Sequence, residues 1–206
     1  MDLKRFLSAA GFEIDANAVK IHFASNQGSD PLLAFYEGRF KAWQEEQTQR
    51  NFNRPYVLGL IQLEGKSSWL YAGLYQVLGV AAETQTGWQY DTELVRGQEE
   101  LVGRVVIRYA KLFRNSYPAF ETCGDSLRVV ELKRERASIS AFPGYKNVLL
   151  KKQELDVVVS QSLDSWRSAL SSVSGVYVIV DRSSGKLYVG SAYGEGGIWS
   201  RWCEYS

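Results

Sequence analysis

Tyr56-Val57-Leu58-Gly59-Leu60-Ile61-Gln62-Leu63 and Trp69-Leu70-Tyr71-Ala72-Gly73-Leu74-Tyr75-Gln76-Val77 decide the fold class. Both are apolar runs of strand length, rich in the aromatic and branched residues that suit a pleated surface. Residues 64–68 lie between them and include Gly65, so the pair predicts a β-hairpin. Upstream of Pro55 the apolar period is helical. Leu3, Phe6, Leu7 and Ala10 share one face of a helix that Gly11 stops. Asp30 sits as an N-cap with Pro31 at the first helical position. Leu32, Leu33, Phe35, Tyr36, Phe40 and Trp43 follow as one broad apolar stripe. Downstream, residues 88–95, 103–109 and 127–132 read as further strands. The expectation is an α+β fold: N-terminal helices, then a small antiparallel sheet or barrel.

Residues 151–159 fit either a short helix or a strand, because the run is β-branched. Asp164 reads as the cap of a helix over 165–172 that turns Trp166, Ala169 and Leu170 inward. The serines of 171–174 form a connector, and the domain boundary is expected near 160–162. That divides the chain into an accessory domain, 1–160, and a C-terminal part, 161–206.

Composition removes several functional classes. The 206 residues are 45% hydrophobic, enough for one core and a small second unit, and the net charge is +1. Two cysteines far apart form no disulfide framework and suit a reducing, cytoplasmic setting. His22 is the single histidine, which leaves no Cys/His zinc set and no partner for a serine nucleophile. No apolar run approaches the ~20 residues of a membrane span, and no secretory leader is visible. Charge is uneven along the chain. Residues 126–152 carry Arg128, Lys133, Arg134, Arg136, Lys146, Lys151 and Lys152 against Glu131 and Glu135. Such a stretch can face a polyanion or be an ordinary solvated surface.

The C-terminal part holds the chemistry. Gly175-Val176-Tyr177-Val178-Ile179-Val180 is a strand, Asp181-Arg182-Ser183-Ser184-Gly185-Lys186 a turn, and Leu187-Tyr188-Val189-Gly190 the returning strand. The alternation of strand side chains places Tyr177 with Gly175 and Ile179, and Tyr188 with Gly190. A Gly-rich loop leads to a helix starting near Ile198. On it Ile198 and Trp202 share one face and Arg201 and Tyr205 another. A guanidinium can hold two oxygens of a phosphodiester at once. A phenol can orient or deprotonate an attacking water if its proton affinity is lowered.

This order of two Tyr/Gly elements, Ser191-Ala192 and the helical Arg201-Trp202 pair resembles the start of a GIY-YIG endonuclease domain, over roughly 30 residues from Gly175 to Tyr205. The resemblance implies a DNA-binding nuclease, a hydrolase of phosphodiester bonds. It places Tyr177, Tyr188, Arg201 and Tyr205 in the catalytic site, with Tyr177 as general base, Arg201 on the scissile phosphate, and Gly175 and Gly190 as structural motif residues. It also implies one Mg2+ ion on a later glutamate. That glutamate has no counterpart up to Ser206, so the domain reads as truncated and inactive by itself. Glu195 and Glu204 lie in the wrong segment to replace it. For residues 1–160 the resemblance implies an accessory domain that selects DNA. Arg134, Arg136, Lys146, Lys151 and Lys152 are then candidate phosphate contacts. A nucleic-acid- or protein-binding module with a vestigial nuclease remnant is the alternative. The incomplete C-terminal part is too small a core to stand alone. It predicts self-association through Ile198, Trp199 and Trp202.

Overall fold

The hairpin predicted at residues 56–77 is the centre of the larger of two sheets. The computed structural model describes residues 1–26 and 28–206. The chain runs α1 (Leu3–Ala9), β1 (Val19–Ala24), α2 (Pro31–Tyr36), α3 (Phe40–Glu45), β2 (Glu46–Gln47), β3 (Tyr56–Gln62), β4 (Ser68–Thr84), β5 (Gly87–Leu94), β6 (Val105–Arg108), α4 (Phe120–Cys123), β7 (Arg128–Leu132), α5 (Lys152–Ser160), α6 (Asp164–Ser171), β8 (Gly175–Val180), β9 (Leu187–Ala192) and α7 (Gly197–Cys203). This is an α+β fold, divided into two compact units, Met1–Ala137 and Ser138–Ser206. Among the described residues no helix is long and apolar enough to cross a membrane.

In the N-terminal unit β3 and β4 pair antiparallel from Tyr56↔Gln76 to Gln62↔Trp69. β1 joins β3 in parallel, Val19↔Tyr56 to Ala24↔Ile61, because α2 and α3 supply the crossover that a parallel pair requires. The path is β1-β3-β4-β5-β2, with β6 on β4 and β7 on β6. Register shifts at Gly59/Leu60, Val77/Gly79 and Val80/Ala82 bend the 17-residue β4 and curl the sheet. β3 is buried from Val57 to Ile61, as a central strand covered on both faces must be. Leu3 and Leu7 of α1, and Phe35 and Phe40, share one core with it.

The stripe expected as one helix from Pro31 is two. Gly38 adopts φ +74, a left-handed conformation that ends α2 before α3 begins. The Asp30 cap is present, with Oδ1 accepting from the Leu32 amide at 2.9 Å. β1 adds a strand that alternates Val19, Ile21 and Phe23 with Lys20 and His22 and is buried at every position but Lys20.

In the C-terminal unit residues 152–160 resolve as a helix, and Glu154 Oε2 accepts from the Lys151 amide at 2.7 Å. Asp164 is the first residue of α6 and not its cap; Leu163 holds that place. The unit begins well ahead of the boundary expected near 160–162. Val158 of α5 packs with Trp166 and Leu170 of α6, joined by Ile139, Phe142, Val148 and Leu150. The Trp166 indole donates to the Ser140 carbonyl at 2.8 Å. One core therefore claims residues 138–160 for this unit.

Candidate functional site

β8 and β9 pair antiparallel from Gly175↔Ala192 to Val180↔Leu187. Their turn is self-supported. Asp181 accepts from the Ser183 amide at 2.9 Å, from Ser183 Oγ at 2.7 Å and from Ser184 Oγ at 2.5 Å. The Ser184 hydroxyl first, then Ser183, hold the Asp181 carboxyl well below the usual carboxylate range. Gly185 closes the turn at φ +71.

The register sets Tyr177 opposite Gly190, and this explains the glycine. A Cβ at position 190 would overlap Cζ, Oη and Cε2 of Tyr177, so the phenol ring lies across the partner strand where only hydrogen fits. Tyr177 is 9% exposed. Its ring meets Trp202 edge-on at 6.1 Å and Tyr205 at 6.0 Å, and the Tyr177 and Tyr205 hydroxyls are 2.9 Å apart.

α7 brings the second half of the site. Gly197, at φ +54, lets its first turn lie against the carbonyls that end α6 and follow it. A Cβ there would strike those of Leu170 and Val173. The Ile198 amide donates to the Val173 carbonyl at 3.1 Å. Ile198, Trp199 and Trp202 pack on Val158, Trp166 and Leu170. That packing turns Arg201 toward the phenols. The guanidinium lies 5.7 Å from the Tyr205 ring centre, interacts with the Tyr177 hydroxyl and pairs with the Glu204 carboxylate one turn on.

Tyr177, Arg201 and Tyr205 thus converge. Tyr188 shares their face of the hairpin, opposite Ile179, but is 55% exposed and forms no hydrogen bond to the trio among the described residues. Trp202 and Glu204 complete the surroundings. Trp202 reads in the sequence only as packing, and Glu204 shows itself only by its three-residue spacing from Arg201.

The proton affinity of Tyr177 runs against a base at neutral pH. Burial pushes its pKa up and the Tyr205 hydrogen bond adds to this, against a smaller lowering by Arg201. In this state the Tyr177 hydroxyl keeps its proton, its oxygen accepts from Arg201, and either phenol can donate to the other. The Arg201 guanidinium is held charged more firmly than usual by the Tyr177 hydroxyl and by Glu204.

Among the described residues no three His, Cys, Asp or Glu side chains lie together as a metal ion requires. The Glu204 carboxylate is committed to Arg201. Among the described residues none are grouped to hold a Mg2+ ion.

The basic stretch is split between the units. Arg134 and Arg136 belong to the first, Lys146, Lys151 and Lys152 to the second. Arg136 stacks on the Phe35 ring at 4.5 Å, and Lys152 pairs with Asp156. Arg134, Lys146 and Lys151 are exposed.

No protein-family model, curated protein or solved structure matches the chain.

Proposed function

We propose that the C-terminal unit engages the phosphodiester backbone of DNA, as the phosphate-holding half of a GIY-YIG-type endonuclease site. The convergence of Tyr177, Arg201 and Tyr205, from β8 and from the far end of α7, carries this reading. Any buried tyrosine needs a partner for its hydroxyl; what favours this reading is that the partners are a second phenol and a half-exposed guanidinium. Arg201 would take two phosphate oxygens along one edge. Tyr177, protonated, would donate to a third oxygen or orient water, and Tyr205 would hold Tyr177 in place.

Binding without cutting is the behaviour expected of residues 1–206. The phenol proton is held tightly, and the acidic cluster for Mg2+ is not assembled among these residues. These two observations favour the binding-module form of the reading. In it residues 1–137 serve as an accessory domain, with Arg134 on that unit and Lys146 and Lys151 on the other as phosphate contacts. The two free cysteines suit the cytoplasm.

Arg201→Ala in the 206-residue chain is expected to weaken binding of a short DNA duplex about ten-fold, the loss of one charge-assisted contact. The salt slope should fall by about one phosphate equivalent. Fluorescence anisotropy across a salt series measures both. Unchanged affinity and slope would remove the site. Mg2+-dependent cutting that Arg201→Ala abolishes would restore a complete nuclease reading.

Self-association is the second part of the proposal, through a different surface from the one expected. Ile198, Trp199 and Trp202 are partly buried against Val158, Trp166 and Leu170. The opposite face of the hairpin carries Val176, Val178, Val180, Leu187 and Val189, all more than half exposed. Val178→Thr with Val189→Thr is expected to shift the chain toward monomer at high concentration in size-exclusion chromatography. A parent that is monomeric throughout would count against it.

A further inference from the structure

We infer that Glu204 is an internal stand-in for the anion that Arg201 receives: its carboxylate occupies the guanidinium in the free protein and leaves when a phosphodiester enters. The inference rests on the phosphodiester reading of Arg201 and adds to it a residue that sets the affinity threshold.

Three observations carry it. Glu204 bonds the guanidinium directly, through Nη1, so one edge of the planar fork is taken. The other neighbours of Arg201 are the Tyr205 ring and the Tyr177 hydroxyl, whose proton burial holds in place. A bidentate phosphate contact requires a free edge, and the Glu204 edge is the one that a stronger anion can clear. Second, α7 gains little from this carboxylate. Glu204 is the C-cap residue, where the helix dipole disfavours negative charge. Third, the pair is solvated on both sides, with side-chain exposures of 48% and 58%, so it is a weak clasp that exchanges readily.

A tethered carboxylate competes at a high effective concentration for weak, singly charged anions. A DNA backbone, whose field concentrates around a bound guanidinium, overcomes it. Glu204 therefore makes the site selective for polyanions.

The test measures duplex binding by anisotropy at low salt for the parent, Glu204→Gln, Arg201→Ala, Arg201→Ala/Glu204→Gln and Glu195→Gln. The last variant removes an exposed loop carboxylate and reports the general effect of lost negative charge. Glu204→Gln is expected to tighten binding about five-fold, the scale of one surface charge pair. Glu195→Gln should do clearly less, and the gain should vanish when Arg201 is absent. A Glu204→Gln variant no tighter than the parent overturns the inference, as does an equal gain in the Arg201→Ala background. If Arg201→Ala alone binds like the parent, the phosphodiester reading itself falls. If it weakens binding while Glu204→Gln changes nothing, that reading stands and only the role of Glu204 is lost.

Discussion

Gly190→Ala leaves the β8–β9 pairing formed and expels the Tyr177 ring from its seat. Alanine is no worse than glycine in a strand, so the backbone has no objection. The objection is steric. The added methyl falls on Cζ, Oη and Cε2 of Tyr177. A flexible side-chain tip could swing aside cheaply, but this one is fixed from three directions: by the Tyr205 hydroxyl, by the edge of Trp202 and by Arg201. Overpacking of this kind costs about 1–3 kcal/mol. The cost should appear as faster amide exchange across 175–206 and, on the proposed phosphodiester reading, as weaker DNA binding, because the hydroxyl no longer meets Arg201. In a Tyr177→Ala background the same substitution should cost almost nothing. That difference, a double-mutant coupling, assigns the effect to the ring–glycine contact. Equal costs in both backgrounds would show that Gly190 is required for some other reason.

Acid destabilises the N-terminal unit through His22. The ring is 2% exposed, stacked on Tyr117 at 4.8 Å and on Trp43 at 5.7 Å, with Nδ1 3.4 Å from Gln44 Oε1. Burial lowers its pKa from 6.5 to about 4, partly offset by Gln44. A histidinium between two aromatic faces gains some cation–π attraction, about 1–2 kcal/mol, but loss of hydration is the larger effect at full burial. The sign follows. Between pH 6.5 and 4 the unfolded chain binds a proton that the folded chain refuses. Stability is therefore full above about pH 6.5 and declines as pH falls toward 4, by about 3 kcal/mol in total. Denaturant unfolding at stepped pH should show this slope in the parent and a flatter one in His22→Gln. The replacement lowers stability at pH 7 by loosening the aromatic stack, so the comparison lies in the slopes. An equally steep slope in the variant would place the acid sensitivity elsewhere.

Much of this architecture is legible in the residues, and the illegible parts have physical reasons. β3, β4, β8 and β9 announce themselves because an apolar run ends at a glycine-containing turn. β1 carries the alternation too, with Val19, Ile21 and Phe23 against Lys20 and His22, but the run is short and no glycine turn marks either end. The break between α2 and α3 hangs on one left-handed Gly38 inside an unbroken apolar stripe. The reach of the C-terminal unit back to Ser138 depends on Trp166 meeting Ser140, a long-range contact that no local pattern encodes. At the site, strand alternation and helix spacing foretell that Tyr177, Arg201 and Tyr205 can meet. Spacing is blind to exposure, which is what separates Tyr188 from them. It is equally blind to the loss of hydration that makes Tyr177 hold its proton. Gly190 stands in the sequence as a motif residue; its register shows it to be a berth for the ring across from it.

Gly197 has a mechanical meaning. Its missing side chain lets the first turn of α7 rest on the backbone where α6 ends, and Arg201 and Tyr205 lie on the arm beyond that pivot. α6 contributes no group to the trio, yet it is the fulcrum. Ile198, Trp199 and Trp202 bind α7 to Trp166 and Leu170, so where the guanidinium stands depends on how that interior is filled.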